Sequence, residues 1–543
     1  MKIINASEFN ILPGEDITEN LIKLISHLKE IQGDKTVVFE RGTYFLDSEK
    51  CEKHMLYITN TVGDGEFDEN ETPHLNAVPF YFDGVSDICI EGNDSVFVID
   101  GKVTNIALEN CENITLKNTE IRHAHPDMHE FKVIRKGFFS VDFEIDRETR
   151  YEFKNSKAYI FAKDYRYPID RNAKNSWWIG LIRQKTPDKI DRVCHPMFSA
   201  LKYTDLGNGK IRVKYPNTRR FKKGDCYYVF DVRRQFAGIF VNKCSNVTLK
   251  NIKQRFNYSL ALVVQDSENI TVDNVDFSPE KGSARKMASV ADFIQLCMCR
   301  GKVTVKNSYF DGAGDDLLNV HGVHFKITDI DKNLLTVRFM HPQSHGYNPL
   351  RVGDTIAYIN PETMLEAGTA VIEKSELVNE YDIRLTVSST ENAQKGIVIE
   401  DISACPDLDF VNNKSTRIIT RGLLITTRGK VNVNNNYFAS TSMSGILLSD
   451  DAKSWYESGM CRDVTIEKNT FDYCGGTPVF IKPENSKYAG AVHKNIRITG
   501  NTFKKYKGYC ISAKASDNIL VKDNTCSGKR IIKTTNCNNV ISQ

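Results

Sequence analysis

The sequence predicts an all-β fold, a right-handed parallel β-helix interrupted by two small antiparallel β-barrels. Three observations support this prediction: a recurring nine-residue phrase, a spacing of 23 residues between its closest copies, and two long stretches that lack it. The phrase reads N-φ-T-φ-x-N-x-x-F, where φ is an aliphatic or β-branched residue. Its copies are NITLKNTEI (113–121), NVTLKNIKQ (246–254), NITVDNVDF (269–277), KVTVKNSYF (302–310), KVNVNNNYF (430–438), DVTIEKNTF (463–471), NIRITGNTF (495–503) and NILVKDNTC (518–526).

Each copy predicts one short strand and one turn. Alternating aliphatic and polar residues are typical of a half-buried strand, and asparagine favours the turn that follows. The 23-residue spacings, from Asn246 to Asn269 and from Asn495 to Asn518, fit one coil of a solenoid. Stacked coils bury each other's aliphatic residues, and we expect the stacked asparagines to form a hydrogen-bonded ladder.

The two stretches without the phrase have strand patterns of the antiparallel type, such as KIRVKY and YDIRLTVSS. We therefore predict two barrels inserted into one β-helix, with a helix near residues 17–31 capping the open first coil. The predicted organisation is β-helix coils with the capping helix at 1–130, the first barrel at 131–237, central coils at 238–322, the second barrel at 323–400 and the last coils at 401–543.

Composition narrows the classes of partner. Of 543 residues, 41% are hydrophobic and 26% charged, and the net charge is only +3. These values exclude a disordered chain and disfavour nucleic acid or a membrane surface as the main partner. No apolar run predicts a membrane span or leader, so we expect a cytoplasmic protein, or a periplasmic or secreted one if a leader is removed. The 14 cysteines show no metal-binding spacing, and we expect reduced thiols, with disulfides open for an exported form.

Three aspartates are the candidate catalytic residues. Asp292 and Asp315 are 23 residues apart, which predicts that they lie side by side on adjacent coils. Asp316 would point into the core of a regular strand, where an unpaired carboxylate is costly, but Gly312 and Gly314 allow a bulge or turn. All three carboxylates would then face one patch.

Crowded carboxylates suit glycoside hydrolysis. Repulsion raises at least one pKa, so that one group stays protonated as an acid while another acts as a base. An inverting enzyme holds the two roughly 6.5–9.5 Å apart, and a retaining one about 5–5.5 Å. The alternative for the Asp-Asp pair is a solvated turn, but the predicted stacking of Asp292 and the nearby Asn319 and His321 favour a site. His321 would orient a carboxylate or bind a sugar hydroxyl, or serve only the structure.

The coils, the GDD motif one coil after an aspartate and the nearby histidine resemble inverting β-helix glycosidases, including family 28 polygalacturonases. The chain more closely resembles glycoside hydrolase family 110, the α-1,3-galactosidases that act on blood group B and linear α-galactosyl structures. The likeness spans nearly the whole chain, including both insertions. It extends to GLLITTRGKV, DDAKSWYESGMCRDVTIEKNTF and GGTPVFIKPEN in the later coils.

The resemblance implies roles for the aspartates. Asp315 would protonate the departing oxygen, while Asp292 and Asp316 would position and deprotonate the attacking water. It also places substrate-binding candidates in the later coils, where a tryptophan can stack on galactose and charged groups can bind its hydroxyls. With the two residues near the aspartates, the candidates are Asn319, His321, Arg421, Trp455, Glu457 and Glu484.

The expected partner is a glycan with a terminal α-galactose, with no cofactor, no metal, no nucleic acid and no membrane, and a homo-oligomer is possible. Two alternatives stay open. One is a polygalacturonase-like hydrolase of another glycan, although the RIK motif of uronate-binding sites is absent from the sequence. The other is a β-helix glycan-binding module without catalysis, although such a module has no use for three crowded carboxylates.

Overall fold

The computed structural model describes residues 2–61, 73–154, 157–163, 165–168, 178–183, 186–193, 196–230, 234–528 and 530–543. These residues form a parallel β-helix with two antiparallel insertions, as predicted. One apolar core of inward-facing aliphatic and aromatic side chains fills the β-helix. A short antiparallel pair, Lys53–Met55 with Leu75–Ala77, and two 3₁₀ turns, Ala6–Phe9 and Ser48–Lys50, complete its first coils.

One parallel sheet, here called the repeat sheet, contains the strands of the nine-residue phrase. It has 21 strands. They are Lys2–Asn5, Lys35–Val38, Thr43–Asp47, Ser86–Asp100, Glu112–His123, Ser245–Gln254, Glu268–Asp273, Asp276–Phe277, Arg300–Lys306, Tyr309–Ala313, Asp407–Val411, Lys414–Ile418, Lys430–Asn434, Tyr437–Thr441, Asp463–Glu467, Thr470–Cys474, His493–Thr499, Thr502–Phe503, Ser516–Lys522, Thr525–Cys526 and Asn538–Ser542.

The other parallel ladder, here called the site sheet, lies across the core and borders the candidate site. Each strand pairs with the next site-sheet strand along the chain, even where an insertion separates the two in sequence. They are Phe80–Asp83, Ile106–Glu109, Ala237–Asn242, Leu260–Gln265, Ile294–Cys297, Leu318–Asp331, Leu423–Thr426, Ile446–Leu448, Val479–Ile481, Ile511–Lys514 and Ile532–Thr535.

The asparagines of the phrase form the expected ladder. Asn246 Nδ2 donates to Asn113 Oδ1 at 3.0 Å, and Asn518 Nδ2 donates to Asn495 Oδ1 at 2.7 Å. These asparagines have positive φ, which asparagine tolerates better than most residues. Inside the coils, the phenylalanines at the end of the phrase stack, with Phe471 and Phe503 ring centroids 5.0 Å apart. The repeated letters therefore specify both the turns and the core.

The capping helix predicted near residues 17–31 is confirmed as α1 (Thr18–Glu30). It buries Leu21, Leu24, Ile25 and Leu28 in the core of the β-helix, so the first coil is not left as an open edge. Among the described residues α1 is the longest helix, and no helix there is long and apolar enough to cross a membrane.

The first insertion leaves the β-helix after His123 and returns at Ala237. Its strands share one apolar core and pair in antiparallel fashion. Among its described residues, seven strands form one sheet and three form another: Met128–Lys136, Ser140–Ile145, Trp178–Arg183, Thr186–Arg192, Lys202–Gly207, Lys210–Lys214 and Cys226–Phe230, then Arg150–Lys154, Lys157–Phe161 and Arg166–Pro168.

The second insertion is a closed six-stranded antiparallel barrel with its own core. Its first strand is the continuation of a site-sheet strand, so the barrel is joined directly to the coil that contains the aspartates. In the order of pairing, the strands are Leu318–Asp331, Leu334–Arg338, Asp382–Val387, Leu365–Leu377, Thr355–Asn360 and Val398–Asp401.

The cysteines differ in part from the expectation of reduced thiols. Cys510 and Cys526 form a disulfide between neighbouring coils. The two cysteines are 16 residues apart, and they meet because the chain turns through most of a coil between them. The spacing in the sequence alone did not indicate this pairing. Among the other cysteines that the structure describes, 11 are free thiols.

Candidate active site

A cleft of about 340 Å³ lies beside the site sheet. All three aspartates line it, and so do five of the six substrate-binding candidates: Asn319, Arg421, Trp455, Glu457 and Glu484. The sixth candidate, His321, is not part of the cleft wall. Residues chosen for their spacing and for the resemblance therefore converge on one place, although more than 190 residues separate the first from the last.

Asp292, Asp316 and Arg421 occupy equivalent positions on three successive coils. The Phe293 amide donates to the Asp316 carbonyl at 3.0 Å, and the Leu317 amide donates to the Arg421 carbonyl at 3.2 Å. The 23-residue spacing predicted Asp315 beside Asp292, but this coil is one residue longer, with Ile294 paired to Leu318. Asp316 therefore takes the in-register place.

A bend at residues 314–317 turns both carboxylates of the Asp-Asp pair toward the cleft, because it interrupts strand alternation. Gly312 has φ of +84°, and a Cβ there would lie 2.4 Å from the Lys286 carbonyl oxygen. At Gly314 a Cβ would lie 2.1 Å from the Val290 carbonyl oxygen. The bend thus requires glycine at both positions. Gly312 is needed for its positive φ, and at both Gly312 and Gly314 a neighbouring backbone carbonyl lies too close for a Cβ.

Asp316 is buried and bound to Arg421. Its carboxylate accepts hydrogen bonds from Arg421 Nε at 2.9 Å, Arg421 Nη2 at 2.6 Å, the Arg421 amide at 2.9 Å and the Thr420 hydroxyl. Charge-assisted bonds of this forked kind are short and directional, and they fix a carboxylate in place. With four donors on two oxygens, Asp316 is better suited to hold Arg421 and the floor of the cleft than to take a proton.

Asp292 is buried, like Asp316, with 2% of its surface exposed. Burial, followed by the negative charges of Asp315 and Asp316, raises the pKa of Asp292 well above its ordinary value. Asp315 is more open to the cleft and forms an ion pair with Arg234. Burial would lower the pKa of Arg234, but the charges of Asp315 and Asp292 raise it above its ordinary value.

A second group of polar residues forms the cleft wall next to the aspartates. Asn319 Nδ2 donates to Glu457 Oε1 at 2.8 Å, while the Asn319 Oδ1 atom is buried without a hydrogen-bond partner among the described residues. His321 lies behind this pair: its Nδ1 is 2.7 Å from the Gly322 carbonyl oxygen, and its Nε2 is 3.8 Å from Glu457. The closest partner of His321 Nε2 is Gln295 Nε2 at 2.6 Å, so the ring is fixed behind the cleft wall by Gln295 and Gly322 and does not face the cleft.

The loop at residues 451–455 forms the outer wall. The Asp451 carboxylate accepts hydrogen bonds from the amides of Lys453 at 2.9 Å and of Trp455 at 2.6 Å, which fixes the turn. The Trp455 ring is 45% exposed and stacks on His341 of the second insertion, with centroids 4.3 Å apart. Glu484 forms an ion pair with Lys482 at 2.7 Å at the exposed rim.

Several cleft residues were not predicted from the sequence. Arg234 lies at the end of the first insertion, Asn60 comes from the first coils, and Asp451 and Lys453 come from a loop between coils. Arg234 Nη1 lies 3.5 Å from Asn60 Oδ1, which links two of them across the cleft. The only sequence signal was the loop segment DDAKSWYESG, in which we singled out Trp455 and Glu457 but not Asp451.

The cleft offers acids, fixed cations and amides for acid–base chemistry on a polar substrate. Within the ranges that the structure describes, no group of three or more His, Cys, Asp or Glu side chains is arranged to hold a metal ion. The carboxyl groups that line the cleft can transfer protons to and from a bound substrate.

Comparison with known proteins adds an independent observation. Residues 334–399 match the family model described as GLAA-B beta-barrel domain II, and residues 421–543 match the right handed beta helix region. Alpha-1,3-galactosidase A of Bacteroides thetaiotaomicron is 34% identical over 525 residues, which covers 94% of this chain and 89% of that protein. The chain belongs to the alpha-1,3-galactosidase family.

Other members of the alpha-1,3-galactosidase family show the same extent of similarity. Alpha-1,3-galactosidase A of Bacteroides fragilis is 31% identical over 512 residues, covering 91% of this chain and 82% of that protein. Alpha-1,3-galactosidase B of Bacteroides thetaiotaomicron is 29% identical over 558 residues, covering 96% and 87%. The similarity to alpha-1,3-galactosidases therefore includes both insertions as well as the coils.

Proposed function

We propose that this chain is an exo-acting, inverting glycoside hydrolase that releases terminal α-1,3-linked galactose from blood group B or linear α-galactosyl glycans. Its relatives carry the name alpha-1,3-galactosidase, which supports the reaction. The observation that carries the proposal is the meeting of Asp292, Asp315 and Asp316 in one cleft. At about 340 Å³ the cleft lies at the small end of ligand pockets, which suits the end of a glycan.

The charges in the cleft indicate one shared proton. Three aspartates face two guanidinium groups, those of Arg234 and Arg421. One proton on the aspartates makes the group neutral, which suits an uncharged sugar. Asp316 is occupied by its hydrogen bonds to Arg421, which leaves Asp292 and Asp315 to hold the proton, and burial raises the pKa of Asp292 and so favours it as the proton carrier in the free enzyme.

In the proposed reaction Asp315 protonates the glycosidic oxygen. A bound glycan presents that oxygen as a hydrogen-bond acceptor, which draws the shared proton onto Asp315, the more exposed partner. Asp292 is then ionised and deprotonates the attacking water, while Asp316 keeps Arg421 and the water in position. With Asp315 as the acid and Asp292 as a base that activates water instead of attacking the sugar, the reaction is a single displacement with inversion.

The remaining wall residues would bind the sugar. Trp455 offers an exposed aromatic face for the apolar side of galactose or of the next sugar. The buried Oδ1 of Asn319 lacks a hydrogen-bond partner among the described residues, and a sugar hydroxyl would supply one. Glu457 would accept from a neighbouring hydroxyl, with His321 behind it. A polygalacturonase-like activity is less well supported because both arginines at the aspartates are already paired with them.

The proposal is tested by incubating the enzyme with group B trisaccharide, linear α-1,3-galactobiose and an α-1,4-linked galactobiose. We expect galactose from one or both α-1,3 substrates and none from the α-1,4 substrate, and the two α-1,3 substrates show whether a branching fucose is required. Asp315→Asn should abolish release without a lower melting temperature. Release from the α-1,4 substrate alone, or full activity of Asp315→Asn, would refute the proposal.

A further inference from the structure

The far end of the first insertion exposes three large apolar side chains. Phe138 and Phe139 form the turn between strands Met128–Lys136 and Ser140–Ile145, and they are 91% and 67% exposed. Leu201, which precedes the strand Lys202–Gly207, is 63% exposed. Neighbouring exposed apolar residues of this size are uncommon on a soluble surface and indicate a contact surface.

Backbone hydrogen bonds hold these residues together at one end of the insertion. The Tyr215 amide donates to the Phe139 carbonyl at 2.9 Å, and the Leu201 amide donates to the Lys214 carbonyl at 2.8 Å. The Thr218 hydroxyl donates to the Gly137 carbonyl at 2.6 Å, which joins the loop at 216–223 to the phenylalanine turn. The exposed aromatic residues therefore belong to an ordered surface, here called the aromatic tip (residues 135–139, 201–202, 214 and 216–223).

The aromatic tip is strongly basic. Its exposed cations include Arg135, Lys136, Lys214, Arg219, Lys222 and Lys223. The nearby acids, Asp142 and Asp225, are buried, and Asp142 is bound by Arg212 at 2.7 Å. We expected no membrane partner because the net charge of the whole chain is nearly balanced. That sum does not show the local excess of positive charge at the aromatic tip.

We propose that the aromatic tip docks on the surface of an anionic lipid bilayer. The two phenylalanines would enter the headgroup region, and the surrounding lysines and arginines would contact lipid phosphates and carboxylates. The degree of exposure of Phe138 and Phe139 favours a bilayer over an acidic polysaccharide, because the headgroup region can bury both side chains whole whereas a sugar covers only one face of a ring. The strand from Met128 to Lys136 spans about 27 Å, so the docked tip would stand well away from its attachment to the β-helix.

The test is co-sedimentation of the full chain with vesicles of phosphatidylcholine, with and without phosphatidylserine. We expect binding to the anionic vesicles at least about ten-fold stronger than to the neutral ones. The double variant Phe138→Ser/Phe139→Ser should lose this binding, and Lys222→Gln/Lys223→Gln should weaken it and reduce its salt dependence. Val352→Ser, which changes a 66% exposed apolar residue of the second insertion, is the matched control and should bind normally.

Each other outcome would overturn the proposal. Absence of vesicle binding, or equal binding by the phenylalanine variant, would show that the tip does not enter a bilayer. Retention on an acidic polysaccharide without vesicle binding would show a polymer site. A dimer in light scattering that the phenylalanine variant abolishes, again without vesicle binding, would show a self-association surface. All variants should hydrolyse a soluble galactobiose at the normal rate, which separates this test from that of the catalytic proposal.

Discussion

Replacing Arg421 by methionine should destabilise the protein because it leaves the Asp316 carboxylate buried without its cation. Arg421 contributes three of the four donor groups that bind that carboxylate, two of them from its guanidinium group, with closest distances of 2.6 and 2.9 Å. Removing one partner of a buried ion pair costs about 3–5 kcal/mol. The Asp316 side chain is 2% exposed but that of Arg421 is 25% exposed, so we expect the lower end, about 3 kcal/mol.

The dependence on pH identifies the cause of this loss. In Arg421→Met, Asp316 can lose its unpaired charge only by binding a proton, which becomes easier as the pH falls. Lowering the pH from neutral to about 4 should therefore shrink the difference in unfolding free energy between the variant and the parent. Urea unfolding at several pH values measures this difference, and activity should be lost at all of them.

Two further variants control this experiment. Adding Asp316→Asn to Arg421→Met removes the buried charge, so the double variant should be more stable at neutral pH than Arg421→Met alone. Arg338→Met, which breaks a half-exposed pair with Asp382 at 3.1 Å, should cost at most about 1 kcal/mol. A loss at Arg421 that is no larger than this, or one that does not change with pH, would refute the reasoning.

Three further predictions concern catalysis and the shape of the site. Burial and the neighbouring carboxylates raise the pKa of Asp292, so kcat/KM should fall at alkaline pH as the shared proton is lost. It should fall again at acid pH as a second proton binds to the aspartates. A pH profile of kcat/KM without the alkaline decrease contradicts the shared proton. Gly314→Ala should lower kcat/KM at least about ten-fold, because the added Cβ would lie 2.1 Å from the Val290 carbonyl oxygen. Gly476→Ala is the control: its added Cβ would have its nearest contact at 3.4 Å, and kcat/KM should not change. Trp455→Ala should raise KM about ten-fold with little change in kcat, and Trp455→Phe should restore most of the affinity; equal KM values would show that the ring does not touch the sugar.

The coils and the position of the acids could be predicted from the sequence because both depend on a local, repeated pattern. Asn246 and its equivalents mark each turn, and the aliphatic residues of the phrase specify the core. The same period brought Asp292 near the Asp-Asp pair, but it placed Asp315 rather than Asp316 in register. The bend at 314–317 adds one residue to this coil. The average spacing of the repeat does not show which coil has an extra residue.

The other cleft residues could not be predicted because no repeat relates them to the aspartates. Arg234 enters the cleft at the end of the first insertion, and His341 reaches Trp455 from the second. Their positions depend on how each insertion packs against the coils, which is a property of the tertiary structure. Even Glu457, which was predicted from the resemblance, owes its orientation to a hydrogen bond from Asn319, 138 residues earlier.

The central claim is that Asp315 and Asp292 act as acid and base in a single displacement on galactose. Proton nuclear magnetic resonance during the first minutes of hydrolysis of an α-1,3-linked galactoside measures the anomer that is released before mutarotation. The proposed mechanism predicts β-galactose as the first product. If α-galactose is released first, the enzyme retains configuration, and the single displacement with Asp292 as a base is contradicted.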